Sequence, residues 1–207
     1  MKAGETKGTN KVSQGANQEV EDTDTIITNE NKDIASSNTV TIDAGNDKVK
    51  VTLEDVNIKA GSGSALTSKG DVTLTLKGDN HLTGGNGSSG ISSRGSLTIT
   101  GDENDSLTAQ GGAGGSGIHI SRNGSLTISG GTVNANGGDG SSGGSGISSS
   151  SGVTVSDGTV TANGGNGGNV SGDGIRSDGG VTISGGTVNA AGGDSKDGYG
   201  GDGIHSG

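Results

Sequence analysis

Gly117-Ile118-His119-Ile120-Ser121, Gly124-Ser125-Leu126-Thr127-Ile128-Ser129-Gly130-Gly131 and Thr132-Val133-Asn134-Ala135-Asn136-Gly137-Gly138 are three short phrases in which single aliphatic residues alternate with Ser, Thr and Asn. Alternation with period two marks a half-buried strand, and a Gly-rich break after each phrase marks a turn. The phrases return from Gly146-Ile147 and Gly174-Ile175 and restart at Gly203-Ile204, so that Ile91, Ile118, Ile147, Ile175 and Ile204 are spaced by 27, 29, 28 and 29 residues. A fixed period of this length is the mark of a solenoid. Three strands and three turns per period predict an all-β fold, a right-handed parallel β-helix of 27–29 residues per three-strand coil. At ~4.8 Å per coil the repeats make a rod of roughly 25–35 Å.

Composition agrees with a thin core and excludes a thick one. With 47 Gly, one Tyr, no Pro, Cys, Phe or Trp and only 24% hydrophobic residues among 207, ordinary globular packing is out of reach. Each coil buries its few aliphatics only by stacking on its neighbours. The glycines lack the every-third-residue order of collagen. A formal net charge of -10 disfavours nucleic acid and anionic membranes as partners. No apolar run is long enough to cross a bilayer, so membrane insertion is not expected. Residues 1–24 are polar and aperiodic and are read as a flexible lead-in, or a cap on the first coil. Residues 25–207 are read as the parallel β-helix, with regular repeats from about 65.

The same alternation sorts the side chains. On the first face Leu66, Ile91, Ile118, Ile147, Ile175 and Ile204 point inward. On the second the inward pairs run from Val72/Leu74 to Val181/Ile183, and on the third from Leu107/Ala109 to Val188/Ala190. The Gly-Gly pairs 130–131, 137–138, 164–165, 185–186 and 192–193 are expected to make tight or left-handed corner turns.

Outward positions carry the candidate chemistry. The second face presents Thr73, Thr98, Thr127, Thr154 and Thr182. The third presents Thr83, Thr108, Asn134, Thr161 and Asn189, with Thr132, Thr159 and Thr187 alongside. Hydroxyls and amides repeated at one-coil spacing can hydrogen-bond a regular polymer, or order water as an ice lattice does; equally, Thr is a good outward strand residue that stabilises a sheet by itself. The first face presents His119, Arg176 and His205, which with Arg94 and Arg122 line a groove suited to an acidic sugar, or simply solubilise the rod. Turn carboxylates at Asp102 and Asp105, and in the loop 194–202 that ends at Asp202, are candidate calcium ligands, with Asp139, Asp157, Asp173 and Asp178 a looser set, since calcium takes six to eight oxygens including carbonyls freed by Gly-rich turns; solvated turn Asp is the plainer reading. No compact Lys/Arg/Asp constellation suited to a lyase is evident, so catalysis is not expected.

Gly172-Asp173-Gly174-Ile175-Arg176-Ser177 followed by Val181 to Ala190, restarted at Gly201-Asp202-Gly203-Ile204-His205-Ser206, resembles the bacterial surface carbohydrate-binding β-helix family. Similar phrases cover roughly residues 65–206. The resemblance implies a polysaccharide-lyase-like fold, an extracellular or cell-surface setting, and calcium-associated binding of a polysaccharide or cell-surface glycan without cleavage. It carries Asp173 and Asp202 over as motif positions. Adhesin stalks use similar phrases, so an adhesin spacer or self-assembling fibre subunit is the alternative, with open strand edges offering head-to-tail self-association. Sugar binders often stack rings on exposed aromatics, and Tyr199 is the single residue available for that.

Overall fold

The computed structural model describes residues 1–3, 10–12, 20–22 and 24–207. Among these the chain is all β, a parallel β-solenoid of about seven turns with no helix. Three faces run along it. On the first, Val40, Leu66, Ile91, Ile118, Ile147, Ile175 and Ile204 are paired in unbroken register. On the second, Val49, Val72, Leu97, Leu126, Val153 and Val181 are paired in the same way. The third joins Asn80, Leu107, Val133, Val160 and Val188. The inward aliphatics meet in a single cluster one side chain deep from each wall, and nearly all are buried from Ile42 to Ile175. A core this thin works because each wall is a sheet whose backbone groups are paired with the coils above and below.

Part of the segment 1–24 lies within the described residues. Lys2–Ala3, Asn10–Val12 and Val20–Asp22 form an antiparallel ladder, joined to the solenoid where Lys2 pairs with Asp43. The remainder of the expected flexible lead-in lies outside the described residues. The Lys2–Asp43 pairing is parallel, as is that of the next strand, Ile26–Thr28, which lies along Thr52 to Glu54.

Two readings of the sequence are corrected by the register. The third-face column does not contain Thr83: His81 pairs with Thr108, and Thr83 with Gln110. The strand Asp79–Thr83 turns Asn80 inward where the later coils place Leu or Val, so counting from its lone aliphatic, Leu82, displaces the column by two residues. Asn80 is fully buried and fully used. Its Oδ1 accepts the Val56 N–H at 3.0 Å, and its Nδ2 donates to the Ser106 carbonyl at 3.1 Å, tying together three successive coils. A buried amide with these partners costs little.

The glycine pairs also divide into two kinds. Gly131 and Gly186 have φ of 76° and 73°, as expected of left-handed corners. The pairs 137–138, 164–165 and 192–193 make no such turn. They lie where backbone packs directly on backbone: a Cβ on Gly137 would overlap the Gly144 carbonyl, one on Gly165 that of Gly138, and one on Gly193 that of Gly165.

These glycines form a neck between the third and first faces. Within a coil Gly144 N–H donates to Gly138 O, and between coils Gly165 N–H donates to Gly144 O. The alternation continues without a break through Gly63, Gly85, Ser88, Gly112, Gly115, Gly138, Gly144, Gly165, Gly172, Gly193 and Gly201, every link 2.7–2.9 Å. Outside the neck the chain makes a ridge from loops 113–114, 139–143, 166–171 and 194–200, which lengthen coil by coil. The ridge has its own minor sheet, Gly140–Ser142 on Gly167–Val170, continued by bridges from Gly167 to Ser195 and from Val170 to Tyr199.

A further column lies inside the first face. Ser68, Ser93, Ser149 and Ser177 are buried in register with Ile42 and Ile120. Ser93 Oγ donates to the Gly95 carbonyl, and Ser177 Oγ lies 2.6 Å from the Ser151 carbonyl and 2.8 Å from that of Gly180. Ser68 Oγ is buried without a hydrogen-bond partner among the described residues.

Candidate functional site

The faces hold the candidate residues in ordered columns because parallel in-register strands place like positions one above another. Thr127, Thr154 and Thr182 are consecutive on the second face and continue down through Thr98 and Thr73. Asn134, Thr161 and Asn189 are consecutive on the third, below them Thr108 and His81. Neighbours in a column are ~4.8 Å apart, and parallel columns two residues along the strand are ~6.6 Å apart. The third face therefore carries three columns. One is Asp79, Ser106, Thr132, Thr159 and Thr187; the second is the His81-to-Asn189 column; the third is Thr83, Gln110, Asn136, Asn163 and Ala191.

The third column was missed in the sequence, although Asn136 continues the period-two alternation of its strand. In the structure Asn163 Nδ2 donates to Asn136 Oδ1 at 2.9 Å, the beginning of an amide ladder. A second ladder stands on the ridge, where Asp139 Oδ1 accepts the Asn166 N–H at 2.6 Å and Asn166 Oδ1 accepts the Asp194 N–H at 2.8 Å.

On the first face His119, Ser148, Arg176 and His205 share a column, so Arg176 and His205 lie on adjacent coils and His119 two coils below Arg176. Each of the upper two side chains has a carboxylate three residues earlier. Arg176 Nη1 is 3.6 Å from Asp173 Oδ2, and His205 Nδ1 is 3.1 Å from Asp202 Oδ2. Asp173 is buried to 9% exposure, and its Oδ1 accepts the Asp202 N–H at 2.8 Å. The repeated Asp-Gly-Ile-Arg/His phrase thus stacks the Arg176–Asp173 ion pair against the His205–Asp202 contact, with Asp173 linking the two through the Asp202 backbone. This arrangement partly answers the positive charge that an acidic sugar would need.

The four candidate metal residues occupy two separate corners. Asp173 and Asp202 lead into the first face. Asp102 and Asp105 share the turn between the second and third faces, where Asp105 accepts the Gly78 N–H at 2.9 Å and the Asp102 N–H at 2.8 Å. No group of three or more His, Asp or Glu side chains among the described residues is placed to hold a metal ion. Tyr199 is 83% exposed on the ridge and belongs to none of the three faces.

One surface group has a shifted pKa. The Lys77 ammonium is held above its ordinary 10.5, first by its hydrogen bond to Glu54 and then by the charge of that carboxylate at 2.6 Å. The pair lies in register across two coils of the second face and acts as a cross-strand tie.

No protein-family profile, curated protein or solved structure matches this chain, so its site is described by its own geometry.

Proposed function

We propose that this chain is a noncatalytic surface solenoid that binds polysaccharide along its outer faces. The observation that carries the reading is the registration of hydroxyl and amide columns over five coils on the second face and four on the third. A polymer with a regular repeat can meet many equivalent donors and acceptors at once. Each contact is weak without aromatic stacking, and retention comes from their number. The resemblance to bacterial surface carbohydrate-binding β-helices supports an extracellular or cell-surface setting. It also supports calcium as an assisting cation, bridging the acidic rod to acidic groups on a glycan. Paired Arg176 and His205 leave the first face less suited to a polyanion than its sequence suggests.

A panel of immobilised polysaccharides tests the proposal, using size-selected monomer with calcium and then with chelator. Retention on one glycan class is expected, and it should fall at least several-fold when Thr127, Thr154 and Thr182 are together replaced by Val, which keeps the strand shape. Retention on no glycan by folded protein would reject the reading.

The alternative, a stalk or fibre subunit, is favoured by a different observation. The in-register stacking of about seven turns makes a rod that needs no ligand to hold its shape. Ordered fibres without glycan preference would decide for it.

A further inference from the structure

The corner between the second and third faces is not uniform along the rod. Six residues, 100–105, join Ile99 to Ser106, whereas three join Ile128 to Thr132, Val155 to Thr159 and Ile183 to Thr187. The longer loop projects beyond the tight corners of the next two coils. It is held in place from within, because Asp105 accepts the N–H groups of Gly78 and Asp102. Beneath the overhang lies a cavity of about 150 Å³ lined by Gly101, Glu103, Gly130, Gly131, Thr132, Asp157, Gly158 and Thr159. Its floor is bare backbone. A Cβ at Gly158 would overlap the Gly131 carbonyl, and Gly131 and Gly158 have φ of 76° and 86°, so side chains are excluded and the hollow persists.

The polar side chains of the lining are two carboxylates and two hydroxyls. Glu103 stands on the overhang, Asp157 two coils further along the rod, and Thr132 and Thr159 belong to the third-face column that begins at Asp79 and Ser106. No cationic side chain lines it. The volume lies below the roughly 300–1,000 Å³ of sites for drug-sized ligands and is several times the ~30 Å³ of one water. It is also much larger than a single calcium ion needs, and two carboxylates fall short of calcium's usual set of oxygens.

We infer that this corner groove is a subsite for one ring of a neutral, hydroxyl-rich glycan. The carboxylates of Glu103 and Asp157 accept charge-assisted hydrogen bonds from ring hydroxyls, and Thr132 and Thr159 lead the next residues onto the third face. Two like charges in the hollow repel a uronate, so the groove selects against acidic sugars. This inference rests on the polysaccharide-binding reading and narrows its substrate class.

The test is a ¹⁵N NMR titration of the chelator-treated chain with neutral hexasaccharides of glucose, mannose, galactose and N-acetylglucosamine, and with a galacturonate hexamer. At least one neutral oligomer should shift the amides of Gly130, Gly131 and Gly158, and the galacturonate should not. Glu103→Gln and Asp157→Asn should each weaken that binding at least threefold with the remaining spectrum unchanged. Asn at 157 retains the oxygen that accepts the Gly158 N–H at 2.7 Å, so the corner is kept. Shifts confined to the Thr and Asn columns would overturn the groove and leave polysaccharide binding standing. Stronger binding of galacturonate at the groove would overturn the neutral class, and a calcium addition that alone shifts these amides would reassign the hollow to a cation. No shift with any oligomer, either in chelator or after calcium is restored, would overturn both readings.

Discussion

At the residue scale the glycines are the most consequential side chains, because most of them are required for what they lack. Gly165 sits in the neck with its α-carbon turned against the Gly138 carbonyl. Gly165→Ala is expected to destabilise the fold by about 1–3 kcal/mol through overpacking. Gly61 has no atom within 4 Å of a built Cβ and no positive φ. Gly61→Ala is therefore expected to be neutral or to stabilise by ~0.4–1 kcal/mol through the unfolded chain. Urea unfolding of the two variants checks the contrast. The buried serines make a second pair. Ser177→Ala removes a hydroxyl that meets two carbonyls and should cost about 0.5–1.5 kcal/mol, whereas Ser68→Ala removes an unsatisfied hydroxyl and should be neutral or stabilising. Equal losses in thermal unfolding would contradict the assignment.

At the element scale the strands were legible in the sequence and the connections between faces were not. Ile118, Leu126 and Val133 announce three inward strands because period-two alternation leaves a β-strand no other way to bury them. Asn80 defeats the same count, since an amide is placed inward by its partners Val56 and Ser106, which come from other coils. The neck was unreadable for a related reason: Gly-Gly states that a Cβ is absent but not which backbone occupies its place. Of the candidate site, the Thr column and the His119–Arg176–His205 column were read correctly as columns. The partnership of Asp173 with Arg176, and the hollow beneath the loop 100–105, depend on coil-to-coil geometry that no local pattern encodes. The Glu54–Lys77 tie has a pH signature. Lys77 is raised above 10.5 in the folded chain, so its contribution is complete below that pH and is lost as pH climbs through the folded value. Both groups are solvent-accessible and the effect is small. Lys77→Met should narrow its stability difference from the parent as the solution becomes strongly alkaline, as read from urea midpoints. A difference that widens there would reverse the sign.

At the scale of the whole molecule, the proposed binding would follow from repetition. Equivalent groups recur every ~4.8 Å, so a flexible polymer gains contacts with length until it outruns the rod. Retention on a bound glycan should rise steeply with oligomer length and level off once the oligomer matches the array of about seven coils. A length-independent affinity, measured by calorimetry, would point to one isolated pocket instead. The acidity of the rod, -10 overall, makes binding to any polyanion weaken without bridging cations.

The glycine neck has an effect on the chain outside it. Each coil is closed by its own backbone bond, Gly138 to Gly144, Gly165 to Gly172, Gly193 to Gly201, before the ridge loop departs. Whatever is written between those bonds therefore lies outside the three walls. The ridge already illustrates this freedom, growing from a two-residue loop at 113–114 to a seven-residue loop at 194–200 while the faces stay in register. Foreign peptides grafted between Asp194 and Tyr199, or between Asn166 and Val170, would be displayed side by side at molecular spacing on a scaffold indifferent to their sequence.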